Sequence, residues 1–230
     1  MICFAHRGAR GYEPENTLLA FQRAIDLGAN WIELDVFPVD DELVVIHNLR
    51  LEHTTNGYGF VWKQKIDYLR SLDAGKGERI PLLSEVFDLA GNKIGINIEL
   101  KWPGTAERVA KFLNERIDGN TLDVKKILVS SFLHAELLAF KKLMPGIKTG
   151  ALTGELPLDL ARFAEILGAY SVHPTIEFIS RDFVRDAHRR GMKVFVYTVN
   201  HPEELQWMAE LGVDGVFTDF PDRISRSLDC

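Results

Sequence analysis

Two short runs hold the side chains with the most chemistry in them. In Trp31-Ile-Glu-Leu-Asp-Val36 and in Ile94-Gly-Ile-Asn-Ile-Glu-Leu-Lys101, polar and apolar residues alternate. An extended chain points successive side chains to opposite faces. Glu33 and Asp35 therefore share one face of the first run, opposite Ile32, Leu34 and Val36. Asn97, Glu99 and Lys101 share one face of the second, opposite Ile94, Ile96, Ile98 and Leu100. A carboxylate buried without a cationic partner is costly or shifts its pKa. Three of them on otherwise apolar strands imply a cation between them. An all-oxygen donor set suits one hard divalent ion, Mg²⁺ or Ca²⁺, better than a soft metal.

These runs need a scaffold, and the chain supplies a regular one. Ile2-Cys-Phe-Ala5 reads as a strand that ends in His6-Arg7-Gly8. A helix follows, with Leu18, Phe21 and Ile25 at helical spacing, Asn16 or Thr17 as its cap and Gly28 as its stop. After the first carboxylate run, Asp40-Asp41 turns the chain into a hairpin strand, Leu43 to Ile46, ending at His47. From Asn48 to about Pro81 the rhythm breaks: Thr54-Thr-Asn-Gly57 is turn chemistry. Tyr58, Phe60, Trp62 and Tyr68 are too many aromatics for a linker, so the stretch reads as a small inserted lobe. A helix from Leu83 to Leu89 leads into the second carboxylate run.

Beyond Lys101, strands at Ile127–Val129, Lys148–Leu152, Tyr170–His173, Lys193–Thr198 and Val213–Phe217 alternate with helices. The helices carry Val109, Phe112 and Leu113, then Leu137–Leu143 and Leu158–Leu167, then a span from Ser180 to Gly191 and one from Pro202 to Gly212. Without the hairpin strand, about eight β/α units predict a parallel sheet, closed as a (β/α)₈ TIM barrel with a lobe inserted after the second barrel strand. A doubly wound open sheet is the competitor. His6, Glu33, Asp35, Glu99, Lys101, Ser131, Thr198 and Asp219 fall at or near C-terminal strand ends, where barrels build their sites. The whole chain, 1–230, reads as one domain, and no Gly-x-Gly-x-x-Gly follows the first strand.

Composition narrows the partners. Of the 230 residues, 46% are hydrophobic and 26% charged, as in ordinary globular proteins, and the net charge of -6 argues against a nucleic-acid surface. Cys3 and Cys230 make no disulfide framework. Met1 runs straight into a strand with no signal-peptide pattern, and no apolar stretch is long enough for a membrane span. The expectation is a cytoplasmic chain.

Taken together, His6-Arg7-Gly8, Pro14-Glu15-Asn16-Thr17, Glu33-x-Asp35 and His47 resemble the signature of the glycerophosphodiester phosphodiesterases, within the phosphatidylinositol phospholipase C-like barrels. Leu72-Asp-Ala-Gly75, Asn97-Ile-Glu-Leu-Lys101, Ser130-Ser-Phe132, Tyr197-Thr-Val-Asn200 and Asp214-Gly-Val-Phe-Thr-Asp219 extend the resemblance, in order, over nearly the full length. It implies metal-dependent hydrolysis of a small glycerophosphodiester to sn-glycerol 3-phosphate and an alcohol. Position by position, it makes Glu33, Asp35 and Glu99 the metal ligands, His6 and His47 the acid/base pair, and Arg7 and Lys101 phosphate contacts. Glu15 and Asn16 would serve as helix-entry cap and support, while Phe132, Tyr197, Trp102 and Phe220 are candidates for the pocket wall. His134, His173, His188 and His201 carry no such expectation. Two departures stand out: Asn48 follows His47 where the family usually has Asp, and His53 stands where Arg is common.

A phosphodiester is an anion with a poor leaving group. Its hydrolysis needs charge neutralised, a nucleophile deprotonated and an alkoxide protonated. The expected division has His6 taking a proton from the glycerol 2-hydroxyl and His47 giving one to the departing alcohol, through a cyclic phosphate that water opens; the residue pattern alone leaves the order of the two open. Rival readings are a phosphodiesterase of lysophospholipids or other diesters, and a catalytically silent glycerol-phosphate-binding barrel. A glycosidase is disfavoured, because Glu33 and Asp35 project side by side instead of flanking a bond.

Overall fold

The first strand meets both the second and the last, and that closes the sheet. In the computed structural model, which describes residues 1–119 and 122–227, β1 (Ile2–Ala5) pairs in parallel with β2 (Trp31–Val39) on one side and β9 (Gly215–Thr218) on the other. Between them run β4 (Gly95–Leu100), β5 (Ile127–Ser131), β6 (Lys148–Thr153), β7 (Ser171–Pro174) and β8 (Lys193–Val196), each parallel to its neighbour. Eight parallel strands thus form a closed (β/α)₈ barrel, and the open sheet is excluded. A ninth strand, β3 (Glu42–Val45), pairs antiparallel with β2 as the expected hairpin.

The outer layer consists of α1 (Leu18–Asp26), α2 (Ile66–Ser71), α3 (Leu83–Ala90), α4 (Thr105–Asp118), α5 (His134–Leu143), α6 (Arg162–Ile166), α7 (Arg181–Arg189), α8 (Pro202–Leu211) and α9 (Asp222–Ser227), with α2 in the inserted segment. Outward-facing Ile32, Leu34, Ile96 and Ile98 pack against Phe21, Ala24, Val86 and Val109 from these helices. Inside the barrel, Phe4 stacks on Phe217 at 4.7 Å and meets Phe195 at 4.8 Å, closing the floor beneath the site. Beside them Trp31, 5.5 Å from Phe4, lies against Gly95. A Cβ there would sit 2.3 Å from the indole, so only glycine lets the ring fill the bore. The segment between β3 and α3 has its own apolar cluster, including Leu51, Val61, Leu69 and Ile80 seated on Phe37 and Val44.

Several boundaries differ from the reading by pattern. β2 runs on to Val39, because its far end is paired by the hairpin. β8 stops at Val196 although alternation continues to Thr198, and the Tyr197–Thr198 peptide is cis. The helix expected over 158–167 narrows to Arg162–Ile166, and α5 begins at His134 instead of Leu137. Thr17, not Asn16, caps α1, its hydroxyl accepting from the Ala20 N–H at 3.2 Å. Cys3 is a buried free thiol, and Cys230 lies outside the described residues. No helix among the described residues is long and apolar enough to cross a membrane.

Candidate active site

Strand register assembles the acidic cluster. Asp35 lies opposite Glu99 and Glu33 opposite Asn97 on adjacent parallel strands, so residues sixty-odd positions apart become neighbours on the inner face. Glu33, Asp35 and Glu99 are all buried, and each offers an oxygen within 4.8 Å of the others. Lys101 donates to Glu99 Oε1 at 2.8 Å and stands 3.4 Å from Asp35 Oδ1.

The loop from β1 to α1 wraps over this cluster. Arg7 and Asn16 both take left-handed backbone, at φ 54° and 56°, a cost for non-glycine residues that surrounding contacts must hold in place. Those contacts are visible. The Arg7 N–H donates to Glu33 Oε2 at 2.9 Å, the Asn16 N–H to the Arg7 carbonyl at 2.9 Å, and Asn16 Nδ2 to Asp35 Oδ2 at 2.9 Å. Gly8, at φ 81°, lets the loop lie on α1: an added Cβ would sit 2.7 Å from Ala20. The Arg7 guanidinium donates to Glu15 Oε1 at 2.8 Å, with its Nε 3.5 Å from Asp35 Oδ2. Glu15 is therefore a bridge between arginines and not a helix cap, since its other oxygen accepts from Arg10 at 3.2 Å.

The two histidines hang from different supports. His6 ends β1, and its Nδ1 meets Asp219 Oδ1 at 2.9 Å. A proton on Nδ1 leaves Nε2 as the acceptor. Asp219 is itself held by Asn200, whose Nδ2 donates to Oδ2 at 2.8 Å and whose Oδ1 accepts from the Asp219 N–H at 2.9 Å. His47 follows the hairpin strand, and its Nδ1 meets Asn48 Oδ1 at 3.1 Å. Both imidazoles border one cavity of about 360 Å³. The walls of that cavity differ: Arg7, Glu33, Glu99 and His47 on one side, Phe132, Leu152, Tyr197 and Phe217 on the other.

Burial comes first and neighbouring charge second in shifting these groups. Burial, then the charges of Asp35 and Glu99, holds Glu33 well above the ordinary carboxylate range. Burial and Asp35 push Glu99 up to about 7, against the pull of Lys101. Burial acts the same way on Asp35, but Lys101, Arg7 and His47, with the Asn16 hydrogen bond, outweigh it and hold its carboxyl below the usual value. His47 is lowered to about 4, chiefly by burial, with Lys101 and Arg7 adding to it against Asp35 and Asn48. His6 is also lowered by burial, against its hydrogen bond to Asp219.

The cavity brings together His6, His47, Arg7, Glu33, Glu99, Phe132 and Tyr197, with Asp35 and Lys101 tied to it through Glu99. It leaves out two of the expected aromatics. Trp102 stacks on Trp62 at 4.4 Å, and Phe220 packs on Tyr12 under Arg223. Ser130, not Ser131, faces inward: the Ser131 hydroxyl is spent on the Leu100 carbonyl at 2.7 Å, while Ser130 Oγ accepts from Asn97 Nδ2 at 3.0 Å. His53 is exposed on the inserted segment. His173 is sealed inside the barrel against Phe195 and Phe217, and His201 sits at the N-cap of α8. Arg10 and Asn200, which pattern did not single out, both reach Asp219. Asn200 closes the Tyr197-Thr-Val-Asn200 block, whereas Arg10 falls just outside His6-Arg7-Gly8.

The chain is similar to known proteins over nearly its full length. A glycerophosphodiester phosphodiesterase of Caldanaerobacter subterraneus subsp. tengcongensis is 38% identical over 237 residues, spanning 97% of this chain and 96% of its own. Lysophospholipase D GDPD1 of Homo sapiens is 26% identical over 264 residues, spanning 96% of this chain and 83% of its own. Among solved structures, an Oleispira antarctica phosphodiesterase in complex with the product sn-glycerol-3-phosphate superposes with a TM-score of 0.91 at 30% identity, covering 100% of this chain and 97% of that one. The pattern of the glycerophosphoryl diester phosphodiesterase family matches residues 6–223, from the first cavity histidine to the arginine after the last barrel strand, and this chain belongs to that family.

Proposed function

We propose that the chain hydrolyses small glycerophosphodiesters to sn-glycerol 3-phosphate and an alcohol, using one divalent cation held by Glu33, Asp35 and Glu99. One observation carries the reading: in a register-locked carboxylate trio, Glu33 and Glu99 line the same cavity that His6 and His47 border. The donor set fits an oxygen-seeking ion such as Mg²⁺ or Ca²⁺. Asp35 Oδ1 is buried without a hydrogen bond, and burial together with neighbouring carboxylates raises the Glu33 and Glu99 carboxyls, a crowding that a cation would relieve. When bound, such an ion supplies Lewis-acid polarisation of the phosphoryl group.

The chain's own groups do the rest. Arg7 and Lys101 add fixed positive charge beside the anionic substrate. His6 Nε2 accepts the proton of the glycerol 2-hydroxyl as that oxygen attacks phosphorus, an intramolecular step favoured by high effective molarity. The bond to the leaving oxygen breaks, and His47 gives that oxygen its proton. Water then opens the cyclic phosphate with the two imidazoles exchanging roles, which returns both to their starting state. The test is glycerol 3-phosphate release from a panel of diesters. Turnover is expected to vanish with a chelator and to return with Mg²⁺ or Ca²⁺. Binding of glycerol phosphate without turnover of any diester would overturn the reading in favour of a silent barrel.

Asn48 tunes the second histidine. An amide oxygen holds the imidazole in place but lends it no charge, whereas a carboxylate favours imidazolium. Asn48→Asp is expected to move the alkaline limb of the kcat profile up by about 0.5–1 pH unit, read from a pH–rate series.

A specific observation favours a lipid substrate as the second reading. Phe132, Leu133, Leu156, Leu158 and Phe178 are exposed, and all lie on the loops after the adjacent strands β5, β6 and β7, continuing outward from the apolar wall to which Phe132 belongs. Glycerophosphocholine and a lysophosphatidylcholine compared with the same ion separate the two, with the higher kcat/KM naming the substrate class.

A further inference from the structure

Asp219 meets His6 and Arg10 on the same oxygen. His6 Nδ1 is 2.9 Å from Oδ1, and Arg10 Nε is 3.0 Å from it. The other oxygen belongs to Asn200. Arg10 is itself fixed, because its Nη1 donates to Glu15, which also binds Arg7. An alternating series of charges therefore runs from Asp35 through Arg7, Glu15 and Arg10 to Asp219 and ends at His6.

A carboxylate facing an imidazole alone does two things at once: it orients the ring, and it stabilises the ring's protonated form. A general base needs the first, and gains from the second only until the ring stays protonated at the working pH. A guanidinium on the shared oxygen separates them, because its charge offsets the carboxylate while the hydrogen bond to Nδ1 stays in place. We propose that Arg10 is a positioning residue that works through Asp219, letting the carboxylate aim His6 while withholding the negative charge that would protonate it.

The charged groups around His6 are Arg7 and Arg10 from its own loop and Asp219 after β9, with Glu33, Glu99 and His47 bordering the same cavity. Burial keeps His6 low first of all. Arg7 and Arg10 push in the same direction, and Asp219 pushes back. Arg10 borders the cavity too and is partly exposed, so a direct contact with substrate is the competing role.

The inference builds on the proposed reaction only for its kinetic readout, and a spectroscopic one stands without it. In the Mg²⁺-loaded protein, the His6 imidazole is titrated by NMR, its signal assigned by its absence from His6→Asn. Arg10→Met is expected to raise the His6 midpoint by about 0.5–1 pH unit, the effect of losing one partly solvated charge nearby. The acid limb of kcat/KM should move with it. Arg10→Lys, which keeps the charge without the planar fork, should give a smaller shift. An unmoved His6 midpoint in Arg10→Met overturns the proposal, and with a raised KM it would mark Arg10 as a substrate contact. A midpoint that moves while the acid limb stays put supports the role of Arg10 and instead removes His6 as the base.

Discussion

Glu33→Gln is expected to abolish turnover and at the same time to make the metal-free protein more stable. The first half follows from ligand geometry. Even an indirect partner of a metal ligand costs about 10–100-fold when removed, and Glu33 is one of three direct donors in the proposed site. The second half follows from linkage. Glu33 and Glu99 have carboxyl groups raised above their unfolded values by burial and by neighbouring charge. The folded state therefore holds protons that the unfolded state releases, and stability falls as pH rises above about 4.5. A glutamine keeps the shape and removes one of the crowded charges. The metal-free variant should melt above the parent at pH 8, by about 2–4 °C for each kcal/mol relieved, and the difference should close near pH 4. The cation acts in the opposite sense: at a hundredfold excess over its Kd it should stabilise the parent by about 2.7 kcal/mol and the variant by far less. Thermal melts with and without Mg²⁺ at the two pH values, beside a glycerol 3-phosphate assay, measure all of this. Undiminished turnover, or an equal Mg²⁺-dependent rise in Tm, would remove Glu33 from the ligand set.

The second large effect separates the histidines. His6→Ala and His47→Ala should each lower kcat by about 10²–10⁴-fold with little change in KM, as expected for groups that move protons only during reaction. The leaving group then tells them apart. An alkoxide needs a proton to depart and a p-nitrophenolate does not. On a glycerophosphodiester of p-nitrophenol, His47→Ala should therefore recover most of its loss, and His6→Ala should not. Rescue of His6→Ala alone would reverse the assignment. No loss in either variant would end the two-histidine mechanism.

How legible the site was depended on whether its contacts follow a local period. Alternation put Glu33 with Asp35 and Asn97 with Glu99 and Lys101, because a strand's two faces are fixed by backbone geometry alone. It could not bring the pairs together: that needs Asp35 opposite Glu99, a matter of register between strands. Caps were ambiguous for a similar reason. Asn16 and Thr17 are both good N-cap types, and only the left-handed turn that aims Asn16 at Asp35 leaves the cap to Thr17. Arg10 and Asn200 meet at Asp219 from opposite ends of the chain, a convergence that no local window contains. Trp102 is a wall candidate by residue type, but the inserted segment offers Trp62, and stacking of two large rings prevails. Ser130 and Ser131 differ only in which side of the strand they face, and the strand's end did not mark that phase.

The meeting of β1 with β9 also has a bearing on synthesis. A ribosome delivers Asp219 some two hundred residues after His6, yet the imidazole has its partner only when both are present. A polypeptide that stops after β8 holds both histidines and all three acids, but one stave is missing and the bore stays open. Aborted translation would thus leave fragments rich in the right residues and poor in hydrolysis, so that competence arrives only as the ring is joined.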